Sequence, residues 1–272
     1  MQVPRFFGAA LAKFWRDEGL FLASGIAFQV LLCLIPITLL VFSFAGSYFF
    51  SHERVMEQFG RYLEQAAPTL DAHLRGDLLE VVDHRRTTGI VGTLGLLWIA
   101  TALFGSLRMA LNAIYEVPRA RGALHGMAFD LAMIVLSTAA FLASIVLTAV
   151  IEYLRHAPAL FPEFRERLMG AAVLYVVPFF AVLVILFLIY YLVPNQQVGA
   201  RSAAWGALFT GVLWEAAKHL FAWYVSASGS YSLVYGSLSA LAALLVWTYY
   251  SAAVLLLGAE VAALLEKARL ER

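Results

Sequence analysis

The sequence predicts an all-α, polytopic membrane protein with six transmembrane helices and short amphipathic helices at the interfaces. Three observations carry that prediction. Hydrophobic residues make up 62% of the 272 and charged residues only 14%, against roughly 45–50% and about 25% in soluble domains. Six apolar segments reach the roughly 20 residues that a helix needs to cross a bilayer. No run of about ten residues alternates apolar and polar as a barrel strand must, so helices are left to satisfy the backbone in lipid. One membrane domain over residues 1–272 accounts for the chain, with no internal repeat and no low-complexity tail.

The elements follow in order. Phe7, Ala10, Leu11 and Phe14 fall at i, i+3, i+4 and i+7, with Arg5, Lys13 and Arg16 beside them. That pattern predicts an amphipathic helix lying on the membrane surface. The apolar run behind it starts after Asp17 and Glu18 and lasts about 30 residues, too long for the 7–15-residue core of a cleavable signal. The six spans are expected at about 20–50, 88–107, 127–151, 168–193, 202–225 and 234–264. The first and last run to about 31 residues, or ~46 Å at 1.5 Å per residue. The apolar core is only ~30 Å thick, so each must tilt, kink or project beyond it. Pro36 offers a kink in the first span and Pro178 in the fourth, because proline removes a helical N–H and crowds the preceding turn. In the 51–87 loop, Val55, Phe59 and Tyr62 mark one amphipathic face and Leu70, Leu74, Leu78 and Val82 another, divided by Pro68. Two short interfacial helices are expected there. The 152–167 loop is shorter and mixed in charge.

Lys and Arg slightly favour the segments that lie inside when the N-terminus is inside, and both terminal segments are basic. Both termini are therefore expected in the cytoplasm, with the protein in a bacterial inner membrane. A net charge of +1 implies no nucleic-acid partner, which would show as a concentrated basic patch. The single cysteine, Cys33, lies in an apolar run and suits packing. It can form neither a disulfide framework nor a Cys/His metal cluster, and no cofactor is expected. There is no G-x-S-x-G elbow, H-E-x-x-H pair or phosphate-binding glycine loop. The chain is not expected to be an enzyme.

The chemistry-bearing residues lie within the apolar runs. "GVLWEAAKHLF" (211–221) places Glu215, Lys218 and His219 on one helical face with Gly211 and Ala222, while Leu213 and Leu220 lie opposite. A charge at mid-membrane costs ~2.5–3.5 kcal/mol on insertion scales, and pairing at i, i+3 reduces that cost. Two readings stand: a structural ion pair packing the fifth span, or the polar lining of a substrate cavity. Ser24, Gly25 and Gln29 form a small polar patch in the first span, and Ser24 and Gln29 are candidates to line the same cavity. Arg108, Asn112 and Glu116 leave the second span at four-residue spacing, and Glu260 leaves the sixth. Both spans end on the same side, so Arg108 with Asn112 could meet Glu260 in a polar tie, or each could be a separate interfacial charge. Gly89, Gly92 and Gly95 recur every three residues and suit close helix packing.

Several segments together resemble one family. "ASGIAFQVLLCLIPITLLVFSF" (23–44) is similar to the opening span of the YihY/BrkB family of bacterial inner-membrane proteins. So, in order, are "ALNAIYEV" (110–117), "YLVPNQQV" (191–198), "WEAAKHLFAWYV" (214–225) and "YGSLSALAALLVWTYYSAAVLLLGAE" (235–260). The resemblance covers about residues 10 to 265. It implies six helices and supplies no catalytic residues to carry over. Family members have been labelled virulence factors and tied to envelope lipid export. A ribonuclease label has also been used, and the lack of a metal-binding cluster or basic RNA surface argues against it here. The leading expectation is a transporter or flippase-like handler of lipids or other amphiphiles in envelope biogenesis, with membrane lipids as partners. The rival is a non-transporting scaffold that recruits envelope-assembly proteins.

Overall fold

The computed structural model describes residues 3–49, 85–117, 123–156, 176–227 and 239–271. The expected interfacial helices of the 51–87 loop, the 152–167 loop beyond His156, and the starts of the fourth and sixth spans lie outside the described residues. Within them the chain forms seven α-helices and no strand. These are α1 (Val3–Arg16), α2 (Gly19–Phe49), α3 (Arg85–Ile114), α4 (Ala123–His156), α5 (Val177–Leu192), α6 (Ala200–Ala227) and α7 (Ser239–Leu270).

Among the described residues, four helices are long and apolar enough to cross a membrane: α2, α3, α4 and α7. They correspond to the expected first, second, third and sixth spans. α5 is apolar throughout but only 16 residues long, ~24 Å at 1.5 Å per residue. α6 has the length, at 28 residues, but Arg201, Glu215, Lys218 and His219 dilute its apolar run. Within the described residues the expected fourth span is represented by the 16 residues of α5, its start at 168–175 lying outside them, and the expected fifth span is a helix of sufficient length but lower apolarity.

Local chemistry sets the boundaries. The backbone turns at Glu18, which takes a left-handed φ of 53° between α1 and α2, and the next residue, Gly19, lies against the Phe14 ring, where a Cβ would collide. α3 ends at a second left-handed residue, Glu116, φ 54°. α2 runs as one helix through Pro36. Pro178 is in the first turn of α5 rather than in a helix interior. A missing N–H costs nothing at that position, so no kink is needed there.

By contacts the chain forms two units, Gln29–Ala102 and the remainder. In the smaller unit the glycine row of α3 packs on α2. A Cβ at Gly92 would come within 3.1 Å of Leu40, whereas one at Gly95 would stand an ordinary 3.5 Å from Pro36. In the larger unit α7 packs on α6 and α1, α5 on α6 and α7, and α4 on α5. Small residues allow the α6–α7 approach: Gly206 faces Ala262 and the carbonyl of Gly258. Tyr190, fully buried, donates to the Leu255 carbonyl at 2.7 Å and shares a 2.8 Å hydrogen bond with Thr210 Oγ1. Those two bonds tie α5, α6 and α7 together at the point where Gly258 leaves room for the hydroxyls.

Candidate functional site

The polar groups of the larger unit gather where α1, the end of α3, the 193–199 loop and the end of α7 meet. At their centre is Lys13. The expected surface helix α1 turns Ala10, Lys13 and Phe14 inward and leaves Phe7 and Leu11 partly exposed, so its buried stripe is rotated toward the basic side. Lys13 is only 5% exposed. Its ammonium donates to Asp17 Oδ2 and, at 2.7 Å, to the Ile114 carbonyl. It also lies 3.0 Å from Glu260 Oε2 and 3.9 Å from Glu116 Oε1. Glu260 is fully buried, and neither of its oxygens has a hydrogen-bond partner of good geometry among the described residues, so Lys13 holds it by charge. One buried cation thus faces the carboxylates of Asp17 and Glu260, with Glu116 at its edge. Removing one member of such a pair strands a charge in a poor solvent, a loss of ~3–5 kcal/mol.

Glu266 organises the next turn of α7. It is 2% exposed. Its Oε2 accepts the Gly199 N–H at 2.9 Å, and its Oε1 lies 3.0 Å from Arg269 Nη2. Gly199 immediately precedes α6, so this carboxylate satisfies an end N–H of that helix and sits favourably at its positive end. Asn112 Oδ1 accepts the Asn195 N–H at 2.8 Å and fixes the same loop to α3. Tyr115 is 7% exposed, and its hydroxyl has no hydrogen-bond partner among the described residues. Burial, reinforced by Tyr190, Glu266 and Glu260, raises its phenol well above the ordinary tyrosine value.

Two hollows adjoin this cluster. A polar cavity of about 280 Å³ is bordered by Lys13, Tyr115, Glu116, Gln196, Glu266 and Lys267. An apolar groove of about 580 Å³ is bordered by Phe6, Phe7, Trp205, Phe209 and Leu265, with Phe7 stacked on Phe209 at 5.2 Å between centroids. Leu264, Lys267 and Glu271 border both. One stretch of α7 therefore separates an apolar space from a polar one and carries charges at their common rim.

The expected tie between Arg108 and Glu260 is not made. Arg108 pairs with Asp130 of α4 at 3.2 Å and lies against Gly126, while Glu260 takes Lys13. Asn112 joins the loop instead. Glu215 and Lys218 do pair, at 2.7 Å, with side chains 43% and 50% exposed. His219 stands 3.9 Å from Glu215 and is 83% exposed. Ser24 is exposed and donates back to the Phe21 carbonyl of its own helix, and Gln29 is half-buried. Sequence reasoning missed Lys13, Asp17, Tyr115 and Glu266 as site residues. The i, i+4 spacing of Lys13 and Asp17 was a legible signal for the first two; nothing in the pattern marked Tyr115 or Glu266.

Comparison with known proteins agrees with the resemblance read from the sequence. The sequence profile of the family described as "Virulence factor BrkB" matches residues 10–272. Among curated relatives named "UPF0761 membrane protein", one from Chlorobium phaeobacteroides is 30% identical over 256 residues, covering 91% of this chain and 55% of that protein. One from Glaesserella parasuis is 30% identical over 217 residues, covering 78% and 76%. One from Haemophilus influenzae is 25% identical over 245 residues, covering 90% and 89%. The chain spans little more than half the length of the Chlorobium relative. No solved structure matches. A profile match over nearly the whole chain, four apolar helices long enough to cross a membrane and relatives that are themselves named membrane proteins lead to one conclusion: the chain is a membrane protein of the BrkB family.

Proposed function

We propose that this protein handles lipids or other amphiphiles, as a transporter or flippase-like protein of the bacterial inner membrane, with both termini cytoplasmic and α5 and α6 completing six spans. One observation carries the reading. The apolar groove and the polar cavity share a wall on α7, with Lys267 and Glu271 at the rim. An amphiphile has that same division, a chain that belongs with aromatic and aliphatic side chains and a headgroup that belongs with charges. Trp205 is 61% exposed, so the groove opens toward the surroundings and a chain can enter from the side. The rival reading, a scaffold for envelope-assembly partners, is favoured by the direct and partly exposed Glu215–Lys218 pair, which needs no cargo.

The test is lipid movement in vesicles. Purified protein is reconstituted with a headgroup-labelled fluorescent phospholipid, and loss of the inner-leaflet label's protection from a membrane-impermeant reductant is followed. Transport expects faster loss than in empty vesicles. Phe209→Ala, which shortens the groove wall, should slow it by about tenfold, since an aromatic truncation of this kind costs more than 1.4 kcal/mol. Vesicles with protein that behave like empty ones would leave the scaffold as the better reading.

A further inference from the structure

The spacing of Phe7, Ala10, Leu11 and Phe14 predicts a single apolar face on α1. In the structure that face divides. Ala10, Lys13 and Phe14 are buried, and α1 packs on α7. Phe7, Leu11 and Trp15, at i, i+4 and i+8, form a second stripe that points outward, with Leu11 49% and Trp15 62% exposed. Ala9, Ala12 and Arg16 form a third edge, also exposed and free of large apolar side chains. At 100° per residue the centres of the three are roughly 120° apart. α1 thus has a protein face, an outward apolar stripe and a small, basic edge.

This helix cannot stand away from the membrane. Only Asp17 and Glu18 separate it from α2, a helix long and apolar enough to cross a bilayer, and so short a link reaches no more than roughly 10 Å. The outward surface is apolar on both sides of the link: Trp15 precedes it, and Phe21, in the first turn of α2, is exposed as well. We propose that α1 lies in the plane of the membrane, docked sideways on α7, with the Phe7–Leu11–Trp15 stripe seated among the lipids of the adjoining leaflet and the Ala9–Ala12–Arg16 edge facing water. The partner is the lipid surface itself. An amphipathic helix sinks its apolar side about 5–10 Å into the boundary between headgroups and acyl chains, and tryptophan favours that depth. The in-plane orientation follows from the pattern. A helix along the membrane normal would pass from lipid to water along its length, whereas the stripe and the basic edge run side by side along most of α1. The seat also fixes a depth for what α1 carries. Lys13 is on the protein face of the same helix, so its pair with Glu260 lies near the interface rather than at the midplane. Phe7, stacked on Phe209, brings the apolar groove to the same level. The seat goes beyond the amphiphile reading and does not depend on what the groove holds.

Spin labelling of the full chain in liposomes tests this. The buried Cys33 is removed as Cys33→Ala, and a nitroxide is attached to a single cysteine at Leu11, Trp15, Ala9 or Ala12. All four side chains are exposed, so the labels should leave the fold intact. Collisions with oxygen, which concentrates in lipid, are compared with collisions with a water-soluble nickel chelate. Leu11 and Trp15 should favour oxygen, and Ala9 and Ala12 should favour nickel, a reversal between the adjacent residues Leu11 and Ala12. Four nickel-favouring sites would put α1 in water, and four oxygen-favouring sites would put it wholly in lipid; either overturns the proposal. Leu11 and Trp15 shielded from both reagents would mean that protein, such as a second copy of this chain, covers the stripe, which overturns it too. A label-free measurement stands beside these. The fluorescence that Trp15→Phe removes should be quenched more by lipids brominated near the headgroup end of the acyl chain than by lipids brominated at its far end. Quenching by neither would place Trp15 outside the lipid and contradict the seat.

Discussion

At the residue scale, the polar cluster of the larger unit is organised around the Lys13–Glu260 ion pair. Glu260 was legible as a polar residue where none was expected. Its partner was not, because sequence spacing reports neighbours along a helix and says nothing about which helices touch. Arg108 looked available and is held by Asp130 instead. Lys13 lies beside the Phe7–Leu11 stripe rather than on it, and the spacing gave no sign that it turns inward. Lys13→Met should lower stability by ~3–5 kcal/mol, because the buried Glu260 carboxyl and Asp17 lose their cation. The double variant Lys13→Met with Glu260→Gln should recover part of that loss, since the buried Glu260 charge is gone while Asp17 keeps Arg16 at 3.7 Å. Chemical denaturation of both variants checks this, and equal losses in the two would show that the pair is not what Lys13 contributes.

Tyr115 supplies a pH dependence. Burial raises its folded-state pKa above the value near 10 of an exposed tyrosine. Stability from the neutral phenol is therefore complete below about pH 10 and is lost as pH rises beyond it. Tyr115→Phe should show a shallower alkaline fall in melting temperature than wild type. Parallel curves would show that the Tyr115 phenol contributes nothing to that fall.

At the element scale, the long apolar helices were the readable part, because an uninterrupted apolar run of more than 20 residues has few alternatives to spanning. α5 and α6 were harder, for opposite reasons. α5 is fully apolar but only its last 16 residues lie within the described part of the chain, and α6 is long and diluted by charge. Their identity as helices came through, and their status as spans did not follow from hydropathy. The α3 glycine row was read correctly as packing, and the contacts grade its members. Gly92→Leu should destabilise by ~1–3 kcal/mol, the usual cost of overpacking, because Leu39 and Leu40 already crowd the site. Gly95→Ala should be nearly neutral, because a Cβ there meets Pro36 only at ordinary van der Waals distance. Thermal shift in detergent distinguishes them, and matching losses would contradict a tighter α2–α3 approach at Gly92 than at Gly95.

At the scale of the whole molecule, the chain divides its polar chemistry unevenly. The Glu215–Lys218 pair, the more conspicuous motif in the sequence, is partly exposed. The buried polar chemistry lies instead where α1, α3 and α7 meet, contributed by four separate stretches of chain: α1 with Asp17, the end of α3, the 193–199 loop and the end of α7. A site assembled this way has no linear signature, which is why no single stretch of sequence announced it. If both termini are cytoplasmic, a cysteine placed at Glu271 should react with a membrane-impermeant maleimide only after the inner membrane is permeabilised. Labelling of intact spheroplasts would place this end outside and reverse the direction of any transport.

The reading of this protein as an amphiphile handler stands or falls on whether the groove beside α7 holds the chain of a membrane amphiphile. The most direct measurement places a photoreactive benzophenone side chain at Trp205, irradiates whole membranes, and analyses the intact protein by mass. A groove that holds a lipid chain should give a phospholipid adduct at Trp205, suppressed by Phe209→Ala. The same probe at Trp98, an exposed residue in the other unit, should give much weaker adducts. Equal lipid adducts at the two positions, unaffected by Phe209→Ala, would mean that Trp205 meets only bulk lipid and would contradict a lipid-holding groove.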